Sequence, residues 1–230
     1  MLMKNKQKMT LAQKINILRA AVMGANDGIL SVAGIVLGVA GASTSNFAIF
    51  ISGIAGMLAG TVSMAMGEYV SVNAEKDSQK QAIETEKLAL KDNYDAEYDY
   101  VRQKYLKKGI KPELVEKAVH EMMTENPLRT LVRERYGFNL GEFTSPYAAA
   151  IASMISFPLG SILPLCSISF FPASIKVVGT FTAVIIALAV TGFVAAHLSH
   201  ANKLHGTIRN VISGVITMLV TYLIGHLFAH

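Results

Sequence analysis

The sequence is poor in cysteine and in charge. Cys166 is its only cysteine, which excludes an intramolecular disulfide and any zinc or iron–sulfur site built from several cysteines. A bound metal ion would therefore have oxygen, nitrogen or thioether ligands. Charged residues make up 16% of the 230 residues and apolar residues 52%, a balance that excludes an ordinary soluble domain and is typical of a membrane protein.

The sequence also lacks the motifs of catalysis and of nucleic-acid binding. It has no nucleophile elbow, no phosphate-binding loop and no zinc-protease helix. Its net charge of +5 is not accompanied by an aromatic and basic stacking platform or by a groove-reading helix. We therefore predict that the protein is not an enzyme and does not bind nucleic acid.

Five apolar segments are each long enough to cross a bilayer, which takes about 20 apolar residues in a helix. They lie at 20–42, 47–72, 147–170, 174–199 and 207–229. The predicted fold is all-α, a polytopic membrane protein with five transmembrane helices and a small helical bundle inserted between the second and third. The predicted domains are an N-terminal segment 1–19, two transmembrane helices in 20–74, the bundle in 75–142 and three transmembrane helices in 143–230.

The distribution of Lys and Arg predicts the orientation of the spans. Five of these residues precede the first span and thirteen lie in 75–142, whereas Lys176 is the only one on the opposite side. The positive-inside rule then places the N-terminus and the 75–142 domain in the cytoplasm and the C-terminus outside.

Glycine and proline mark the predicted helices. Neither occurs from Glu68 to Lys91, so we expect the second span to leave the membrane as one continuous helix. Pro112 and Pro127 are expected to begin two short helices, the second ending near Gly137.

The third span contains Pro158 and Pro164. Each proline removes a backbone donor, so we predict kinks that face protein or a water-filled cavity.

Only two acidic residues, Asp27 and Glu68, lie within the apolar segments. An aspartate inside a span costs roughly 2.5–3.5 kcal/mol, so such residues usually have a function. The alternatives are a structural hydrogen bond for Asp27 and a side chain that reaches the membrane surface for Glu68.

The second span also carries Met57 and Met64, which share a helix face with Glu68. Carboxylate and thioether ligands together suit a borderline divalent ion such as Fe²⁺ better than Mg²⁺ or Ca²⁺. A carboxylate in low dielectric can hold a proton and release it when a cation arrives, as an antiporter requires. Apolar packing is the alternative for each methionine.

The 75–142 segment is rich in carboxylates. Glu113, Glu116 and His120 are spaced to share one face of the helix that begins at Pro112, and they are candidate metal ligands. The alternative is a solvated, salt-bridged surface, because Lys and Arg alternate with the acids.

Three segments resemble motifs of the vacuolar iron transporter family, and in particular of its bacterial members. They are GANDGILSVAGIVLGVAGAS (24–43), AGTVSMAMGEYVSVNAEKD (59–77) and SFPLGSILPL (156–165). The resemblance implies a homodimer of five-helix protomers in a bacterial cell membrane, which exports Fe²⁺, and often Mn²⁺, from the cytosol in exchange for protons. It implies no permanently bound cofactor, and the partners are divalent ions, membrane lipid and a second copy.

The resemblance also assigns site residues. Asp27 and Met64 fall on positions that line the family's pathway between protomers, and Glu68 falls on the glutamate of the bacterial motif. The alternative function is a membrane-anchored metal sensor or scaffold without transport. An intramembrane lipid-modifying enzyme is disfavoured, because no nucleophile is evident.

The family's insert is a cytoplasmic metal-binding domain. Glu86 and Glu97 match two of its acidic positions, whereas Ala89 and Tyr100 stand where further acidic partners are expected. Plant members also carry a membrane glutamate where this chain has Gly56.

Overall fold

The computed structural model describes residues 10–229, so residues 1–9 of the predicted N-terminal segment lie outside the described residues. Within this range the chain forms eight α-helices and no strand. The helices are α1 (Leu11–Ala42), α2 (Asn46–Asp92), α3 (Tyr94–Lys107), α4 (Pro112–Glu125), α5 (Pro127–Tyr136), α6 (Pro146–Phe170), α7 (Lys176–Leu198) and α8 (Lys203–Leu227).

Five of the helices, α1, α2, α6, α7 and α8, are long and apolar enough to cross a membrane. This confirms the five predicted spans. The chain divides into two compact units, which we call the membrane unit (Lys14–Ser71 and 145–229) and the bundle unit (10–13 and Val72–Thr144).

The second helix is longer than a bilayer requires. Its 47 residues give a length of about 70 Å, against about 30 Å for a hydrocarbon core. The expected continuity from Glu68 to Lys91 is confirmed, because α2 ends only at Asp92.

Small residues bring α1 and α6 into close contact within the membrane unit. Ser153 Oγ donates a hydrogen bond to the Ala20 carbonyl at 3.2 Å, and Ser161 Oγ donates to the Gly28 carbonyl, also at 3.2 Å. The two serines are buried, and Phe157 is buried between them. Because both donors and both acceptors are eight residues apart, the helices meet at matching positions over two turns.

The opposite end of α1 packs against α8. A Cβ atom at Gly225 would clash with the carbonyl oxygen of Gly38, so this crossing also depends on glycine. Between the two crossings, Val32, Val36 and Leu37 are completely buried in the apolar core. These contacts make α1 the helix around which the membrane unit is packed.

The two prolines of the third span do not end its helix, since α6 continues through both. Pro164 is buried and Pro158 is half-buried, which agrees with prolines that face protein rather than lipid. The kinks at Pro158 and Pro164 stay a prediction.

The bundle unit has its own apolar core, formed by α3, α4, α5 and Leu90 near the end of α2. Its completely or almost completely buried residues include Val101, Val119 and Leu131. The predicted helices at Pro112 and Pro127 are confirmed, and Gly137 ends α5 in the left-handed conformation with a φ of 78°.

The α1–α6 crossing predicts the effect of Gly28→Ala. The new methyl group would clash with the backbone carbonyl of Phe157, which cannot rotate away, so we expect a loss of about 1–3 kcal/mol in stability. Heating the protein in detergent and measuring the folded fraction by size-exclusion chromatography tests this. Gly34→Ala on the same helix is the control, because its nearest contact, the Thr217 methyl, is an ordinary 3.4 Å. Equal thermal stability of the two variants would contradict the packing argument.

Candidate functional site

A groove of roughly 670 Å³ lies between α1 and α2 in the membrane unit. One face of each helix forms its walls, and Phe157 of α6 lines it as well. The α1 residues are four apart: Met23, Asp27, Ser31 and Ile35. The α2 residues are mostly small: Gly56, Ala59, Gly60, Ser63, Met64, Gly67, Glu68 and Ser71. The structure therefore brings Asp27, Met64 and Glu68 to one groove.

Asp27 is half-buried and forms a single polar contact within the described part of the chain. Ser31 Oγ, one turn along α1, donates a hydrogen bond to Asp27 Oδ1 at 2.7 Å. Among residues 10–229 no Lys, Arg or His forms an ion pair with this carboxylate. A single hydroxyl does not neutralise a carboxylate, so the charge of Asp27 stays available to a cation or a proton.

Glu68 is the more deeply buried of the two acids, with 7% of its side chain exposed. Its Oε2 atom has no hydrogen-bond partner in the described part of the chain. Arg19 forms an ion pair with it, with Nη2 lying 3.6 Å from Oε2. The carboxylate is thus held by Coulomb attraction to Arg19 rather than by a hydrogen bond to it.

Thioethers line the groove beside the carboxylates. Met64 lies one turn before Glu68 on α2, and Met23 lies one turn before Asp27 on α1. Arg19 Nη1 is 3.6 Å from Met23 Sδ. Met57, which the helix spacing grouped with Met64 and Glu68, does not line the groove, and both methionines pack against the apolar core.

The predicted site residues did not include Met23 and Ser31, which line the groove, or Arg19, which contacts Met23 and Glu68. The signal for them was present, because all three are four or eight residues from Asp27 and so share its helix face.

The donor set limits what the groove can bind. No group of three or more His, Cys, Asp or Glu side chains in residues 10–229 is arranged to hold a metal ion. A cation in the groove would therefore meet carboxylate, thioether and hydroxyl groups, with water as a further ligand. Such a mixed set suits a borderline divalent ion better than a hard one.

In the bundle unit, Glu86 and Glu97 are brought together by an arginine. Glu86 is completely buried, and Arg135 Nη1 donates to both of its oxygens at 2.8 and 2.7 Å. Arg135 Nη2 donates to Glu97 Oε2 at 2.6 Å, and the guanidinium lies 4.2 Å from the centre of the Tyr100 ring. Burial opposes the charge of Arg135, but the hydrogen bonds from its guanidinium to Glu86 and Glu97 outweigh this and raise its pKa.

The other predicted ligands of the bundle do not converge. Glu113, Glu116 and His120 are all exposed, and Glu116 forms an ion pair with Arg102 of α3. This arrangement favours the salt-bridged surface. A metal site that includes Glu86 and Glu97 stays a prediction, and their shared arginine does not favour it.

Comparison with known proteins places most of the chain in one family. A model described as the VIT family matches residues 18–226. A vacuolar iron transporter of Acanthamoeba castellanii is 33% identical over 198 residues, which cover 86% of this chain and 73% of that protein. Vacuolar iron transporter homolog 1 of Oryza sativa subsp. japonica is 34% identical over 198 residues, 86% of this chain and 67% of that protein. Vacuolar iron transporter homolog 2.1 of Arabidopsis thaliana is 30% identical over 210 residues, 91% and 80% of the two chains.

The Arg135 cluster predicts how the bundle responds to mutation and to chelation. Arg135→Gln would leave buried Glu86 without its cation, and we expect a cost of roughly 3–5 kcal/mol to the bundle. Hydrogen–deuterium exchange of α3, α4 and α5 in the full-length protein should accelerate. The same exchange in the unmutated protein should not change when EDTA is added.

Arg102→Gln is the matched control, because its partners Asp99 and Glu116 are exposed and the loss of an exposed pair has little effect. Faster exchange on addition of EDTA to the unmutated protein would show that a metal ion, rather than Arg135, stabilises the bundle.

Proposed function

Since the chain belongs to the VIT family, we propose that it exports Fe²⁺, and also Mn²⁺, from the cytosol in exchange for protons. The family and its named relatives are transporters, so the chain is a membrane metal-ion transporter and not an enzyme. The transported ions are substrates rather than bound cofactors. Proton coupling, the direction of transport and Mn²⁺ as a second substrate belong to the proposal.

One observation carries the mechanism: Asp27 lies in a membrane helix with a hydroxyl as its only partner among the described residues. A carboxylate in low dielectric is stable when it binds either a proton or a metal cation. Because one carboxylate does not bind both at once, loading of the metal releases the proton. Mutually exclusive binding of this kind couples the two fluxes.

Met64 and Glu68 complete the proposed pathway on α2. Glu68 supplies a second negative charge, which lowers the energy of a doubly charged ion in a span. Met64 supplies a thioether, which binds Fe²⁺ more readily than the harder ions Mg²⁺ and Ca²⁺. The small residues around them leave room for an ion that keeps part of its hydration shell.

We further propose the orientation given by the positive-inside rule, with the N-terminus and the 75–142 domain in the cytoplasm of a bacterial cell and the C-terminus outside. We also propose that two copies of the chain form a homodimer, with the groove at their interface. Support comes from α2, whose Leu58, Val62 and Met66 are more than half exposed and present an apolar face beside the groove. A second copy and lipid are the two surroundings that suit such a face.

Transport by proteoliposomes tests the role of Asp27. Asp27→Asn keeps the shape of the side chain but removes its charge, so we expect Fe²⁺ flux to fall to the background of empty vesicles. Ser31→Ala removes the only hydrogen bond to Asp27 within residues 10–229 and should retain most of the flux. Equal flux in the unmutated protein and Asp27→Asn, or flux that ignores a pH gradient, would overturn the mechanism. Metal binding without flux in the unmutated protein would instead support a sensor.

Selectivity tests the role of Met64. Met64→Leu keeps the apolar volume and removes the thioether sulfur, so Fe²⁺ flux should fall relative to Mg²⁺ and Ca²⁺ flux. Met66→Leu on the same helix is the control, because Met66 is exposed and does not line the groove. The same ion preference in both variants would remove Met64 from the selective ligands.

A further inference from the structure

We infer that Arg19 competes with the transported divalent cation for Glu68 and acts as a built-in counter-ion that the metal must displace. The inference rests on the proposed function and deepens it, because it names a residue that controls access to the same groove. Arg19 is half-exposed, with 49% of its side chain accessible, whereas Glu68 is 7% exposed. The guanidinium of Arg19 is thus partly in solvent, whereas the carboxylate of Glu68 is buried in the protein.

The state of Glu68 Oε2 calls for a second ligand. This oxygen is buried without a hydrogen bond in the described part of the chain, and leaving such a group unsatisfied costs stability. Arg19 Nη2, at 3.6 Å, relieves the charge but does not satisfy the lone pairs. A metal ion bound directly to Oε2 would do both.

The guanidinium of Arg19 also contacts the two ligand types proposed for the metal. Its Nη2 faces the carboxylate oxygen of Glu68, and its Nη1 faces the sulfur of Met23 at 3.6 Å. Met23 and Glu68 both line the groove. A metal cation that binds this carboxylate, with or without the thioether, therefore meets Arg19 as a competitor.

The contact is weak enough to be exchanged, as a comparison with Arg135 shows. Arg135 donates to both oxygens of Glu86 at 2.7 and 2.8 Å and is 27% exposed. Arg19 makes one longer contact and is the more exposed of the two. A doubly charged ion gains more from the carboxylate than the singly charged guanidinium does, while a monovalent ion has no such advantage.

Displacement would also direct the ion along α1. Arg19, Met23 and Asp27 are successive members of one helix face, each about 6 Å further along the axis. An ion that replaces Arg19 at Glu68 is then on the face that leads to Asp27. When the ion has left Glu68, Arg19 restores the pair, which favours release over permanent binding.

The test is equilibrium Mn²⁺ binding to the full-length protein in detergent, with free Mn²⁺ measured by electron paramagnetic resonance. Arg19→Gln removes the competing charge, so the Kd for Mn²⁺ should fall by about fivefold or more. Arg19→Lys keeps the charge and should stay close to the unmutated protein. Lys14→Gln is the control for net charge, because Lys14 is exposed on the same helix and does not line the groove.

The double variant Arg19→Gln with Glu68→Gln separates competition from a structural role. Once Glu68 is neutral, removal of Arg19 should no longer tighten Mn²⁺ binding, because the two cations have no shared charge to compete for. An unchanged or weaker affinity in Arg19→Gln, with thermal stability intact, would overturn the inference. If Arg19→Gln is unstable, an affinity of Arg19→Lys equal to that of the unmutated protein supports competition for the charge, and a fivefold change in either direction overturns it.

The failure of this inference is distinguishable from the failure of the proposed function. Proton-coupled flux in the unmutated protein together with unchanged binding in Arg19→Gln would remove only the role of Arg19. Tighter binding in Arg19→Gln without any flux in the unmutated protein would remove transport and leave the competition in place.

Discussion

A carboxylate removed from water needs a cation, a proton or a set of hydrogen-bond donors, and this constraint organises the chain. Three acidic side chains satisfy it to different degrees. Both oxygens of Glu86 accept from Arg135 Nη1, Glu68 has a single arginine contact at 3.6 Å, and Asp27 accepts from one serine hydroxyl at 2.7 Å. The weaker the fixed partner of a carboxylate, the more a mobile ion or proton can gain by binding it. Glu86 is thus the most structural of the three, and Asp27 is the best suited to exchange ions or protons.

The packing of α1 determines where a carboxylate with too few partners can lie. Serine and glycine contacts with α6, and glycine contacts with α8, leave no space on those sides of the helix. The Asp27 face instead meets the small residues of α2, where the groove lies. Close packing on two sides therefore supports the groove on the third, since a rigid α1 holds Asp27, Met23 and Arg19 in register.

Local signals in the sequence predicted most of the helices. They could not predict which side chains pair over long distances in the sequence. Helix continuity to Asp92, the starts at Pro112 and Pro127 and the cap at Gly137 depend on neighbouring residues alone. The three proposed groove ligands followed from intramembrane charge and from family motifs. The partner of Glu86 lies 49 residues away, and the sequence offers 21 Lys and Arg side chains among which no local rule chooses. Met64 lines the groove and Met57 does not, because helix spacing gives a shared face but not the neighbour that covers each residue.

The two arginines show why the type of counter-ion is less informative than its geometry. Both arginines contact a buried glutamate, yet Arg135 also binds Glu97 and lies over the Tyr100 ring. To displace Arg135 from Glu86, an ion would have to break all of these contacts. Arg19 contacts one carboxylate and one thioether, and about half of its side chain is exposed. A guanidinium with several partners is a structural element, whereas a half-solvated guanidinium can be exchanged for another cation. On this reasoning, a tyrosine at position 100 in place of a further acid favours arginine over metal between Glu86 and Glu97.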